Sequence, residues 1–146
     1  MEAHIGKTVG EIRVGEEAYF AKTMTETDMM LFAGVTGDLN QLPINGEFAR
    51  GSRYGQRVAH GMLTASFVTN ILGMKLPGFG TVMRSFKVRF TAPVFLDDTV
   101  EIGIRVTGTD IARNTASFDT WAVNQRGETV MQGSCVVAPP TALNPA

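Results

Sequence analysis

Cysteine and histidine are scarce in this chain: Cys135 is the one cysteine, and His4 and His60 are the two histidines among 146 residues. A lone cysteine excludes an internal disulfide and a thiolate metal cluster, and it makes a reducing cytoplasm the default compartment. Two histidines so far apart in sequence give no zinc-binding pattern, so neither a metal nor another cofactor is expected. No run of about 18 apolar residues is present to span a bilayer, and the N-terminal residues lack the basic-then-apolar order of a signal peptide. An excess of either charge is also missing. Thirteen basic residues stand against fourteen acidic ones, which removes the electrostatic case for nucleic acid or an anionic membrane as partner. Local basic residues at Arg50, Arg53 and Arg57 still suit one small phosphorylated ligand.

What remains is the composition of an ordinary globular protein, 44% hydrophobic and 18% charged. The length suits one domain, residues 1–146, and is enough to bury a real core. Residues 9–14 lead into a first strand at 17–23. Thr25, with Asp28 three residues on, reads as a helix cap of the capping-box type, Asp standing for the usual Glu. The helix it opens carries Met29, Met30, Leu31 and Phe32 and ends near Val35. Gly37-Asp38-Leu39-Asn40 reads as a loop, and residues 47–50 as a helical turn. Residues 60–73 hold no charged side chain over 14 positions, which predicts a helix buried on nearly all sides. Beyond it, Phe86, Val88 and Phe90 alternate with polar residues, as do Val100, Ile102, Ile104 and Val106, the period of half-buried strands. Residues 115–124 and 129–137 form a predicted hairpin across Gln125-Arg126-Gly127-Glu128. The tail from Pro139 onward reads as a frayed end. One early buried helix followed by about four long strands implies an α+β layout, a curved antiparallel sheet wrapped around that helix.

Phe32-Ala33-Gly34-Val35-Thr36-Gly37-Asp38-Leu39-Asn40, followed by Ala59-His60-Gly61-Met62-Leu63, resembles the MaoC-like family, which includes (R)-specific enoyl-CoA hydratases. Leu76-Pro77-Gly78-Phe79-Gly80-Thr81, Val88-Arg89-Phe90, Pro93-Val94-Phe95 and Asp97-Asp98-Thr99 also resemble family segments. The resemblance implies a hot-dog fold, an acyl thioester carried on CoA or on an acyl carrier protein as ligand, and a homodimer or higher oligomer. It also implies lyase chemistry: water adds across a 2-enoyl thioester, or leaves an (R)-3-hydroxyacyl thioester. Negative charge then develops on the thioester oxygen, and the free N–H groups of a helix N-terminus stabilise it. Gly61, at the start of the buried helix, is the candidate oxyanion donor, and a glycine there lets the carbonyl approach.

The family's loop pairs a catalytic Asp with a catalytic His five residues later. Asp38 is present, and Asn40 takes the position that shapes the loop. Without gaps, Gln41 falls at the family's Pro, Pro43 at its catalytic His and Asn45 at its second Asp. Shifting the register by two residues puts Asn45 at the histidine position. In neither register is there a histidine, because none lies between His4 and His60.

Asp38 is therefore a candidate catalytic residue, with a loop-capping role as the plain alternative. His60 is read first as structural, bonding a neighbouring carbonyl or orienting the helix start. Asn40, Pro43, Asn45, His60, Met62 and Thr69 are the candidate substrate-binding residues, although Thr69 fits equally a hydroxyl bonded back inside its helix. Arg84, Lys87 and Arg89 fit either CoA phosphates or a solvated face. Cys135 reads as core packing. Three functions stay open: a hydratase or dehydratase with an altered loop, a non-catalytic subunit pairing with a histidine-bearing relative, and a repurposed thioester or small-molecule binder or lyase/cyclase.

Overall fold

The computed structural model describes residues 4–143. A 3-10 turn at Val9–Glu11 precedes strand β1 (Glu17–Thr23), and three helices follow: α1 (Glu26–Thr36), α2 (Gln41–Ile44) and α3 (Gly46–Arg50). The long helix α4 (Gly61–Met74) comes next, and then strands β2 (Val82–Phe90), β3 (Thr99–Asp110), β4 (Thr115–Asn124) and β5 (Thr129–Ala138). The strands form one antiparallel sheet in the order β1-β3-β4-β5-β2. Placing β1 and β2 at opposite edges puts the connection between them, α1 through α4, on one face of the sheet.

Alternation in β4 shows why the sheet has one dry face. Ala116, Phe118, Thr120 and Ala122 are buried, while Ser117, Asp119, Trp121 and Val123 between them are partly exposed. Leu63, Ala65, Phe67, Val68, Ile71 and Leu72 of α4 share one core with Ile102, Ile104, Val106, Phe118, Met131 and Val137 of the sheet. Each of the larger side chains among them contributes about 1.5–3 kcal/mol by leaving water, so α4 and the sheet hold each other in place.

The capping box at α1 forms as expected. Thr25 Oγ1 accepts from the Asp28 amide at 3.1 Å, and Asp28 Oδ2 accepts from the Thr25 amide at 3.0 Å. Two expectations need correction. Helix α4 is not buried on nearly all sides: Met62 is 55% exposed, and Ser66 and Thr69 on the same face are also exposed. The absence of charge there marks a small, neutral, open face, which charge counting alone does not separate from a buried one. The tail does not fray at its start. Pro139 and Pro140 are buried, and the Pro139 carbonyl accepts from Asn114 Nδ2 at 3.0 Å; residues 144–146 of that tail lie outside the described residues. Among the described residues, no helix is long and apolar enough to cross a membrane.

Asp98 ties the loop before β3 to the β4–β5 hairpin. Only 4% exposed, it accepts from the Phe95 amide at 3.0 Å, Gln125 Nε2 at 2.6 Å and Arg126 Nη1 at 2.9 Å. Burial alone would push this carboxyl up. The bonds from Arg126, Gln125 and Phe95, with the guanidinium charge, outweigh it and hold the group below the usual carboxylate range. Asp98→Ala removes these bonds, leaving the exposed Gln125 and Arg126 to water, and is expected to cost about 1.5–3 kcal/mol at neutral pH. Because folding lowers the proton affinity of this carboxyl, its contribution is complete above pH of about 4 and is lost as the pH falls through the lowered value. Urea unfolding of wild type and variant at pH 7 and pH 3 measures this: the gap between them should narrow at the lower pH.

Candidate functional site

The site is assembled where α1 ends and α4 begins. Helix α1 stops because Gly37 turns left-handed (φ 74°), its amide donating to the Ala33 carbonyl at 2.9 Å; a residue with a Cβ is strained there. The chain then folds on its own side chains. The Asp38 amide donates to Thr36 Oγ1 at 3.1 Å, the Asn40 amide to Asp38 Oδ1 at 3.1 Å, and the Leu42 amide to Asn40 Oδ1 at 3.0 Å. Asn40 thereby caps α2, and Asn45 caps α3 by accepting from the Glu47 and Phe48 amides. From outside, Arg57 Nε donates to the Pro43 carbonyl at 2.6 Å while its guanidinium pairs with Glu26.

Asp38 and the start of α4 face one cleft of about 680 Å³, lined also by Phe32, Leu42, Pro43 and Met62. Asp38 Oδ1 is committed to the loop, whereas Oδ2 faces His60 Nε2 at 3.6 Å. His60 Nε2 is also 3.2 Å from the Asp38 main-chain oxygen. Both facing atoms are acceptors, so this nitrogen carries the hydrogen and donates. His60 Nδ1 is enclosed and has no hydrogen-bond partner, and the side chain is 5% exposed against 51% for Asp38. The histidine thus lines the cleft with Nε2 turned to Asp38 and Nδ1 enclosed, while the carboxylate is half exposed.

Gly61 supplies the first amide of α4, a helix N-terminus whose leading N–H groups lack intrahelical acceptors. A Cβ built on Gly61 would stand 3.1 Å from the Phe90 ring, so a side chain there would crowd the packing at the helix start. A second cleft of about 460 Å³ opens on the other side of this glycine, with Arg53, Tyr54, Thr64 and Phe90 in its wall. Val58, Ala59 and Gly61 line both.

Of the residues singled out from sequence, Asp38, Asn40, Pro43, His60, Gly61 and Met62 come together on the first cleft. Asn45 and Thr69 are absent from that lining. Asn45 has its oxygen on the α3 cap and its Nδ2 on Gln41 Oε1 at 2.9 Å, and Thr69 Oγ1 donates to the Ser66 carbonyl at 2.6 Å. Ser66 was not singled out, yet it lines the cleft. Its signal was its place four residues after Met62, one helical turn along the same face. Cys135 is buried, and burial pushes its thiol up to about 12, which fits packing and not nucleophilic chemistry.

A single long helix held against an antiparallel sheet of this order is the hot-dog fold, and here the helix start and a carboxylate share its cleft. The chain belongs to the MaoC-like domain family, whose model matches residues 11–126. It is 36% identical over 130 residues to an (R)-specific enoyl-CoA hydratase of Rhodospirillum rubrum, covering 89% of this chain and 90% of that one. It is 34% identical over 131 residues to a 3-hydroxybutyryl-CoA dehydratase of Methylorubrum extorquens, covering 89% and 82%. Among solved structures, the (R)-hydratase of Aeromonas caviae involved in PHA biosynthesis superposes with a TM-score of 0.86 at 30% identity, covering 88% of this chain and 98% of that one.

The Arg57 contact makes the loop testable as a unit. Arg57→Ala removes a charge-assisted bond worth about 1.5 kcal/mol, and residues 41–45 should then exchange their amide hydrogens roughly tenfold faster. Hydrogen-exchange mass spectrometry reads this directly; unchanged exchange would show that the caps alone hold the loop.

Proposed function

We propose that the chain hydrates 2-enoyl thioesters and, in reverse, dehydrates (R)-3-hydroxyacyl thioesters. The reading rests on one observation: an open carboxylate, Asp38, lines the same cleft as the first amide of a long helix, Gly61. The thioester oxygen sits at the Gly61 N–H, where charge developing on it is stabilised. Asp38 Oδ2 takes a proton from water as its oxygen bonds to C3, and the same carboxyl returns a proton to C2. Asn40 acts through the loop it caps, and His60 holds the Asp38 main chain. The acyl group fills the apolar wall of Pro43 and Met62, and the thioester's carrier arm leaves through the second cleft past Arg53. CoA and acyl carrier protein are both compatible with that exit.

Loss of enoyl absorbance from crotonyl-CoA tests the reading. Turnover above the uncatalysed rate is the expected result, and no turnover with either a CoA or a carrier-protein substrate overturns it. A specific observation favours a second reading: Pro43 occupies the loop where the resemblance places a histidine, so the chain can instead be the non-catalytic partner of a histidine-bearing relative. Turnover that appears only when such a relative is co-purified would decide for it. The open neutral face of α4 at Met62, Ser66 and Thr69 is where we place a second copy in a homodimer, which sedimentation would report as twice the monomer mass.

A further inference from the structure

We propose that this cleft also moves the double bond of enoyl thioesters between C2–C3 and C3–C4, with Asp38 Oδ2 carrying the one proton that moves; this rests on the reading of the cleft as an enoyl-thioester site. The argument begins from the acid–base groups the cleft holds. Its ionisable lining residues are Asp38 and His60. His60 donates from Nε2 to the Asp38 carbonyl and keeps Nδ1 enclosed. The cleft therefore offers one carboxylate, with one of its oxygens uncommitted to the loop, and a helix N-terminal amide at Gly61.

That set is sufficient for an allylic proton shift. One carboxylate base beside an oxyanion hole serves enzymes that carry out this shift next to a ketone. Starting from a 3-enoyl thioester, Asp38 Oδ2 takes a proton from C2. The C–H electron pair becomes the C1–C2 π bond, and the thioester carbonyl becomes a dienolate oxygen held by the Gly61 N–H. As the carbonyl re-forms, the C1–C2 π pair shifts to C2–C3, the C3–C4 pair takes the proton from Asp38 at C4, and a 2-enoyl thioester results. One proton has moved from C2 to C4, and no water, oxidant or cofactor is consumed.

Hydration asks more of the same carboxylate, because a water must also be seated against C3. Of the cleft wall, Leu42, Pro43 and Val58 offer such a water no side-chain hydrogen bond, the hydroxyls of Thr36 and Ser66 already donate to the Phe32 and Leu63 carbonyls, and Asn40 Oδ1 is taken by the Leu42 amide. The single carboxylate is thus better matched to shuttling a proton between two carbons of the bound chain than to activating a second molecule. The two carbons lie on one face of the planar dienolate and about 2.5 Å apart by ordinary bond geometry, within reach of one carboxyl group without rebinding.

The experiment incubates crotonyl-CoA with the protein in D2O and locates deuterium by NMR, with a protein-free control. Deuterium entering the C4 methyl reports the dienolate, whereas deuterium at C2 of a 3-hydroxy product reports hydration. We expect C4 exchange, reduced at least about 10²-fold in Asp38→Asn, a variant that retains an oxygen for the Asn40 amide. Deuterium at C2 without any at C4 overturns the isomerase proposal and leaves the hydratase reading standing. Deuterium at C4 without hydration does the reverse. Exchange at neither position overturns both, and C4 exchange undiminished in Asp38→Asn overturns the role given to Asp38.

Discussion

Asp38→Ala is expected to lower crotonyl-CoA hydration by about 10²–10⁴-fold, the range an acid–base group typically supplies. The carboxylate is half exposed, whereas His60 has Nε2 committed to the Asp38 carbonyl and Nδ1 enclosed, so the lining holds no second free base to replace it. The loss has a structural rival, since Asp38 Oδ1 also accepts from the Asn40 amide and alanine removes that bond. Asp38→Asn separates the two. Asparagine keeps an acceptor for Asn40 but is no base, so a chemical role predicts that both variants fall together, chiefly in kcat. A loop role predicts that Asn restores activity and Ala does not. Measuring kcat and KM for both, with thermal unfolding as a check on folding, decides between them.

Pro43→His is expected to act in the opposite direction, raising hydration by about 10²–10⁴-fold and shifting the balance away from proton exchange at C4. In free energy that is about 3–5 kcal/mol of barrier. Against it stand the loss of a proline, about 0.4–1 kcal/mol of stability, and the larger side chain at a buried position, about 1–3 kcal/mol. The loop tolerates the exchange because its bonds run around position 43. Leu42 donates to Asn40, Asn45 donates to the Gln41 carbonyl, and Arg57 grips only the Pro43 carbonyl. An imidazole at residue 43 enters a buried position in the wall of the cleft that Asp38 also lines. A rate that stays at the wild-type level in a folded Pro43→His protein would mean that the cleft lacks something besides the histidine.

The fold was legible in the sequence because its elements carry strong periods. The 7-residue strand β1, the Thr25–Asp28 box and the β4–β5 hairpin lie where alternation and capping chemistry put them. Part of the cleft was legible as well, since the residues around Asp38 and Gly61 form two short motifs that the chain brings together. Its details were not. Nothing in the composition of α4 separated an open neutral face from a buried one, so Ser66 went unremarked and Thr69 was given a place on the cleft. Sequence likewise does not separate a ligand-facing Asn45 from one whose oxygen caps α3, as it does here. His60 illustrates the same limit: its identity is visible in sequence, but the orientation that turns Nε2 to Asp38 and encloses Nδ1 is a property of packing, set partly by Phe32, whose ring centre lies 4.9 Å from that of the histidine.

Arg57 reaches past the side chain of residue 43 to hold its main-chain oxygen, which every amino acid possesses. The hydrogen bonds of the loop are thus indifferent to the side chain at that point, which packing alone constrains because it is buried, and proline, lacking an N–H, gives up no bond the frame uses. One substitution at this socket therefore changes the side chain in the cleft wall without removing a bond that holds the loop.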